Sequence, residues 1–461
     1  MTAQTLILDV GGQGCLACLV DRNGHIIDQA HRAVDTQESN GQVSKSGSAV
    51  MDTLAAGVDE LLCRRPVARV GLVVERGSVL CWHRDTAQPL SPVLSWRDRR
   101  AKVDDDNGQL ARLVRQRSGL RFSPYGGAAK LRWCVENIEA VAAAASDDSL
   151  AMGPLGAWLV ARLTGNGSFH VDHGLAQRTL LWSMPACDWD PELLACFAIQ
   201  RQWLPAVVDS RHDYGPVAGR GDASLALLMG DQNAVVFLNR QPDPDTLHVN
   251  LGTGAFLLRP VAGCDQPEPF QLTFLGPEYT CPLALEASVH GAASALNWLK
   301  QHHHVATDEQ SIKAARAVQR PPLFINSIDG LGSPWWRPGP DPEFLFDDDS
   351  ERSGAALLRA VLESIAFMVA INASLIEQLA GPCRRVQLSG GLSRNPLLLD
   401  MLAGLLPGQL QVLKTAEGTA LGAWCRLSDR AMPDSAWREV SARPDPALAA
   451  RLARWREIVE G

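Results

Sequence analysis

Apolar and polar positions alternate in short runs at the start of the chain. Residues 6–30 read as a strand, a glycine turn (Gly11, Gly12, Gly14), a second strand, an Asn23-Gly24 turn and a third strand. Short apolar runs separated by Asn-Gly or glycine-rich turns are the pattern of a β-meander. Its first turn, made of glycines, lets a ligand approach the backbone closely. Helical periodicity then alternates with short apolar strands, a pattern that includes 70–74 and the segment 151–163, as an α/β domain requires. The first half closes with 225–238. The polar, proline-bearing stretch Asn239-Arg-Gln-Pro-Asp-Pro-Asp245 is the expected boundary.

The second half opens as the first did, with a strand over 247–251, a turn at Gly252-Thr253-Gly254 and a strand over 255–258. That echo predicts a duplicated plan, with domains at 1–240 and 241–461. Further on, a strand over 386–389 runs into Gly390-Gly391, and a helix starts at about Pro396. Strand, turn and helix in that order present backbone N–H groups to a ligand. A final amphipathic helix, opened by Asp445-Pro446, should bury Leu448, Leu452, Trp455 and Ile458 on one face and reads as packing.

Length agrees with two domains, since 461 residues exceed what one core usually supports, and a cleft between domains is then the default ligand site. Hydrophobic residues at 46% and charged residues at 20% are ordinary for a globular protein with sizeable cores. The net charge of -8, with Lys and Arg dispersed, argues against nucleic acid or an anionic membrane as partner and favours a small diffusible substrate. No signal peptide is expected, because the first apolar run is cut by Asp9 and lacks a basic flank. No stretch is expected to reach the roughly 18 apolar residues of a membrane span. Eleven scattered cysteines point to reduced thiols and a cytoplasmic location. The lone pair Cys15 and Cys18 lies in a strand, where an offset of three puts the two on opposite faces.

Candidate chemistry gathers at the turns. Unhindered amides and a helix dipole suit phosphate, although glycine turns in hairpins are common without any ligand. Asp9, where the first strand meets its turn, could hold a hydrated Mg²⁺ that bridges phosphates, or simply cap its own turn. Gly230-Asp231-Gln232 places Asp231 at a helix N-terminus; a fixed carboxylate there can accept a hydroxyl proton, or serve only as an N-cap. The run Trp96-Arg97-Asp98-Arg99-Arg100 joins an aromatic platform to guanidinium donors, which suits a polyhydroxylated ligand, while Arg/Asp pairs at a helix start are equally ordinary. His302-His303-His304 lacks the spacing of a helical metal pair and reads as a solvated helix end.

Taken in order, these motifs resemble the FGGY carbohydrate kinases, with most similarity to their glycerol kinase branch. The first half carries Asp9-Val-Gly-Gly-Gln-Gly14, Ser95-Trp-Arg-Asp-Arg-Arg100, Ser123-Pro-Tyr-Gly-Gly127, Arg178-Thr-Leu-Leu181 and Gly230-Asp-Gln232. The second carries Gly252-Thr-Gly-Ala-Phe256, Gly330-Leu-Gly-Ser-Pro-Trp335, Ser389-Gly-Gly-Leu-Ser-Arg-Asn395 and Thr419-Ala-Leu-Gly-Ala423. The resemblance spans about residues 5 to 430. It implies an α/β, actin-like ATPase fold of two ribonuclease-H-like domains around a central cleft. It further implies phosphorylation of a small sugar or polyol by ATP with Mg²⁺, and leaves room for a homodimer. Asp231 would be the general base. Arg76, Trp96, Tyr125, Asp231, Gln232 and Phe256 would hold the polyol. Gly11, Gly12, Gln13, Gly252, Thr253 and Gly254 would face the phosphates, and Gly390, Gly391, Asn395 and Asn297 the adenosine.

Five departures matter. Gly12 stands where the family usually has threonine, and Leu16 where a basic residue commonly follows. Losing a charge-assisted hydrogen bond there would cost about 1.5–3 kcal/mol, so weakened nucleotide use is one expectation. Gly77 replaces the glutamate that glycerol kinases carry beside the arginine, which argues against glycerol as sole substrate; Glu75 should point elsewhere, because adjacent strand residues face opposite sides. Gly156 and Gly404 replace family aspartates. The competing expectation is a kinase-fold sensor that binds sugar or nucleotide without transfer. An actin-like ATPase acting on protein partners would leave the Trp96 and Tyr125 segments unexplained.

Overall fold

In the computed structural model, residues 4–62, 67–165, 167–265, 267–441 and 443–461 are described. The chain divides into two compact units. The first comprises residues up to Pro242 with Leu272–Pro282 and Thr419–Met432; the second comprises Asp243–Gln271, Leu283–Gly418 and Pro433–Gly461.

In the first unit, the predicted meander is β1 (Thr5–Val10), β2 (Gly14–Val20) and β3 (Ile26–Ala33), paired antiparallel. Parallel strands β4 (Arg69–Val74) and β5 (Ser224–Gly230) extend it to the order β5-β4-β1-β2-β3. Helix α1 (Gly47–Leu62) packs on β2 and β3 and buries Val50, Leu54, Val58 and Leu61, the spacing of one helical face. Each such side chain contributes about 1.5–3 kcal/mol. The segment 151–163 splits into a strand, Leu150–Pro154, and helix α2 (Leu155–Thr164), which packs against β4 and β5.

Register explains where a site can form. Val10 of β1 and Gly230 of β5 both pair with Val74 of β4, so three parallel strands end side by side. The residues that follow them leave the sheet at one edge, outside the carboxyl ends, where open α/β sheets bind ligands. A short helix, α3 (Asp231–Ala234), follows β5 directly.

The second unit repeats the plan. Strands β6 (Thr246–Leu251), β7 (Ala255–Val261), β8 (Leu283–Val289), β9 (Arg385–Ser389) and β10 (Gln409–Leu413) lie in the order β8-β7-β6-β9-β10, with the first three antiparallel and the last two parallel to β6. Helices α4 (Ala293–His303), α5 (Gly354–Ala380) and α6 (Pro396–Leu405) complete its layers.

Helix α5 corrects one expectation. Its 27 residues are long and apolar enough to cross a membrane, although no such stretch was expected. Of its most apolar window, 78% is buried inside the protein, so it is the core helix of its unit, and its buried carboxylate, Glu363, is paired with Arg359 and Arg451. The last helix, α7 (Pro446–Glu460), is capped by Asp445 and buries Leu448, Trp455 and Val459, whereas Ile458 is 41% exposed. At 100° per residue, Ile458 lies about 80° off the line through Leu448. The ten described cysteines are free; Cys63 lies outside the described residues.

Candidate active site

The edge formed by β1, β4 and β5 gathers much of the expected polyol set. Asp231 opens α3, and its side chain is 26% exposed, within reach of a ligand. Its Oδ1 accepts from the Gln232 amide at 2.8 Å and its Oδ2 from Gln232 Nε2 at 3.2 Å. Arg76, 7% exposed, brings Nε to 3.6 Å from Asp231 Oδ1, and its Nη1 donates to Asn233 Oδ1 at 3.2 Å. Asn233 in turn donates to the Phe274 carbonyl at 2.9 Å, which fixes its amide. The stem of Arg76 passes so close to Gly230 that a Cβ there would stand 2.8 Å from it. Glycine before the aspartate is therefore a packing requirement.

Burial pushes the Asp231 carboxyl above the usual carboxylate range; Arg76 and the Gln232 hydrogen bonds pull it back. A carboxylate poised in this way is suited to take a proton and to release it.

Trp96 is 54% exposed, which leaves its ring free as a platform, and its amide donates to Ser78 Oγ at 3.0 Å. The run around it is a turn, not a helix start. Asp98 is fully buried, accepts from the Val43 amide at 2.6 Å and pairs with Arg100, so that Arg/Asp pair holds the turn together. Arg99 lies over the ring of the half-buried Tyr125 at 5.8 Å. Gly77 adopts φ +82°, and its missing Cβ would meet the base of Trp96 at 3.3 Å. Glu75 turns inward, away from Arg76, as expected from strand alternation.

The glycine turn after β1 closes through Gly11 N–H to Gly14 O at 2.9 Å, with Gly12 and Gln13 exposed. Asp9 is half-buried and stands opposite Leu16 in register, so the apolar residue at 16 leaves no cation across the strand pair from Asp9. Among the described residues no three His, Cys, Asp or Glu are grouped for a metal. A hydrated Mg²⁺ needs only one or two carboxylates beside phosphate oxygens, so Asp9 alone fits that need.

In the second unit the turn after β6 is one residue tighter, closing through Gly252 N–H to Gly254 O at 2.9 Å, and Thr253 O accepts from the Ser294 amide at the start of α4. Phe256 is half-buried near the start of β7, and Asn297 is exposed on α4. Asn395 caps α6, its Oδ1 accepting from Leu397 and Leu398, which leaves its amide group for a ligand. Gly390 has φ +86°, and a Cβ on it would stand 2.5 Å from Leu251 O. Gly390→Ala is expected to destabilise the protein by about 1–3 kcal/mol and to weaken nucleotide binding, checked by thermal unfolding and calorimetry.

Both glycine turns, and the carboxylate at the strand edge, coincide with a match that spans both units. Residues 4–238 match the N-terminal domain, and residues 247–426 the C-terminal domain, of the FGGY family of carbohydrate kinases. The chain belongs to that family. It is an ATP-dependent carbohydrate or polyol kinase. Glycerol kinase of Aromatoleum aromaticum is 30% identical over 491 aligned positions, covering 99% of this chain and 98% of that protein. Glycerol kinase of Alkalilimnicola ehrlichii is 32% identical, covering 84% and 81%. Among solved structures, Plasmodium falciparum glycerol kinase with ADP superposes with a TM-score of 0.84 at 20% identity, covering 100% of this chain and 98% of that one. A xylulose kinase from Lactobacillus acidophilus gives 0.85 at 18% identity, covering 99% and 97%. At such identities the structural likeness speaks for the fold, an actin-like ATPase fold of duplicated α/β units.

Two residues that support the site lie outside the motifs legible in sequence, Asn233 beside Arg76 and Ser78 beneath Trp96. Asn233 could have been found from its place two residues after Asp231. Ser78 carries no sequence signal, because its role arises from a contact across the fold.

Proposed function

We propose that this FGGY kinase transfers the γ-phosphoryl group of Mg·ATP to one hydroxyl of a small sugar or polyol, with Asp231 as the general base. The observation that carries this reading is the Asp231 carboxylate: partly exposed at the sheet edge, raised by burial, and held by Arg76 and Gln232. Asp231 would accept the proton as the hydroxyl oxygen attacks phosphorus. Arg76, Trp96, Tyr125, Gln232 and Phe256 would hold the remaining hydroxyls and carbon face. Phosphoryl transfer depends mostly on positioning and on neutralising phosphate charge. Gly11 to Gln13 and Gly252 to Gly254 would supply amides to the phosphates; Gly390, Gly391, Asn395 and Asn297 would line the adenosine. Mg²⁺ beside Asp9 would neutralise phosphate charge.

Glycerol is one candidate substrate among several. No carboxylate stands at Gly77, and Glu75 is turned away from Arg76, so a ketose, a sugar acid or a four-carbon polyol fits the Arg76, Trp96, Tyr125 and Asp231 set as well. The test is ADP release from Mg·ATP across glycerol, erythritol, ribitol, xylulose, ribulose, fuculose and gluconate, with Asp231→Ala as control. Turnover with at least one member, abolished in the variant, is expected. Absence of turnover with retained sugar or nucleotide binding would replace this reading with a sensor.

A further inference from the structure

Beneath the first glycine turn lies a charged pair to which the reaction assigns no part. Lys45, at the end of the strand Gln42–Lys45, and Glu75, just after β4, are 2% and 3% exposed and meet at 3.1 Å. Ser78 Oγ also donates to Glu75 Oε1, at 2.9 Å. Replacing a buried ion pair by apolar residues of similar size is often neutral or stabilising, so stability alone is a poor reason for this one.

The contact that gives it a purpose is Lys45 Nζ to Gly11 O, 2.9 Å. In a planar trans peptide the carbonyl of one residue and the N–H of the next point in opposite directions. An inward Gly11 carbonyl therefore turns the Gly12 N–H outward. Gly12 is exposed, and its N–H has no hydrogen-bond partner among the described residues. On the inner side, Glu75 Oε2 is buried without a partner, 3.3 Å from where a Cβ on Gly12 would stand.

Resting on the kinase reading above, we propose that the Lys45–Glu75 pair is a positioning device for phosphate: it presets the Gly11–Gly12 peptide so that the Gly12 N–H faces the phosphate chain of the nucleotide. Ser78 holds the Glu75 carboxylate, Glu75 holds the ammonium, and the ammonium holds the carbonyl. A preset amide binds an anion without reorganising, which offsets part of what Gly12 and Leu16 remove.

The test uses the full chain with Lys45→Met, Glu75→Gln and the double variant, read by thermal unfolding, by calorimetry with Mg·ADP, and by KM for ATP and for whichever polyol the wild type turns over. Lys45→Met alone should lower the melting temperature, since it strands a buried carboxylate. The double variant should regain the melting temperature yet bind Mg·ADP about tenfold more weakly. Its KM for ATP should rise to match, while KM for the polyol stays within about twofold. A double variant that binds Mg·ADP as the wild type does overturns the proposal. In ¹⁵N-glycine-labelled wild type, the Gly12 resonance, assigned by its loss in Gly12→Ala, should shift on adding Mg·ADP, and an unmoved resonance overturns the proposal whatever the variants do. Wild-type protein that fails to bind Mg·ADP at all defeats the kinase reading itself, a result distinct from either of these.

Discussion

Asp231→Asn is expected to lower kcat by about 10²- to 10⁴-fold while leaving the protein folded. Asparagine can still accept from the Gln232 amide, as Asp231 Oδ1 does at 2.8 Å, so the start of α3 keeps that hydrogen bond, while the base and the acceptor for Gln232 Nε2 are lost. Stability is pulled two ways. Because burial raises the Asp231 carboxyl, the folded state binds its proton more tightly than the unfolded chain does. This group therefore adds stability as pH falls through its folded-state pKa, and its ionised form costs stability near neutrality. The amide removes that cost, but it also leaves the nearly buried Arg76 without its carboxylate. The opposing terms should keep the melting temperature within about 4 °C of wild type. Retention of more than a tenth of the wild-type kcat, in a folded variant, would remove Asp231 from the chemistry.

The duplicated plan was legible because it is written in local signals: glycine turns at fixed places after apolar runs, at Gly11 and again at Gly252, each followed by a second strand. Both turns close by a hydrogen bond between glycines, Gly11 to Gly14 and, one residue tighter, Gly252 to Gly254. Asp231 was legible for the same reason, since Gly-Asp before an apolar run marks a strand giving way to a helix. What could not be read depends on contacts between distant segments. Only the family resemblance, and no local pattern, puts Arg76 with Asp231; the two meet because β4 and β5 pair in parallel with Val74 beside Gly230. Lys45 lies 30 residues from Glu75 in sequence, and nothing in its surroundings distinguishes it from a surface lysine. Local patterns also misled in two places. The Trp96 segment looked like a helix start because Arg/Asp pairs are common there, yet Asp98 is spent inside the turn. Helix α5 is apolar over most of its surface but is interrupted by Arg359 and Glu363, so no unbroken apolar run marks it in the sequence.

The second large effect is expected at Arg76. Arg76→Met keeps the stem that packs against Gly230 and removes the guanidinium. Loss of charge-assisted contacts to the substrate should lower kcat/KM by roughly ten- to hundredfold, mainly through KM for the sugar or polyol. A second consequence separates Arg76 from a residue that merely binds. Its positive charge opposes the effect of burial on Asp231, so removing it raises the carboxyl further. A general base works deprotonated, and activity is lost as pH falls through its pKa; the acid limb of the kcat/KM profile should thus begin at a higher pH in Arg76→Met than in wild type. Arg76→Lys keeps a cation without the planar fork. That variant should return the acid limb toward its wild-type position while KM stays high. An acid limb unmoved in Arg76→Met would mean that the guanidinium, 3.6 Å from Asp231 Oδ1, orients substrate without tuning the base.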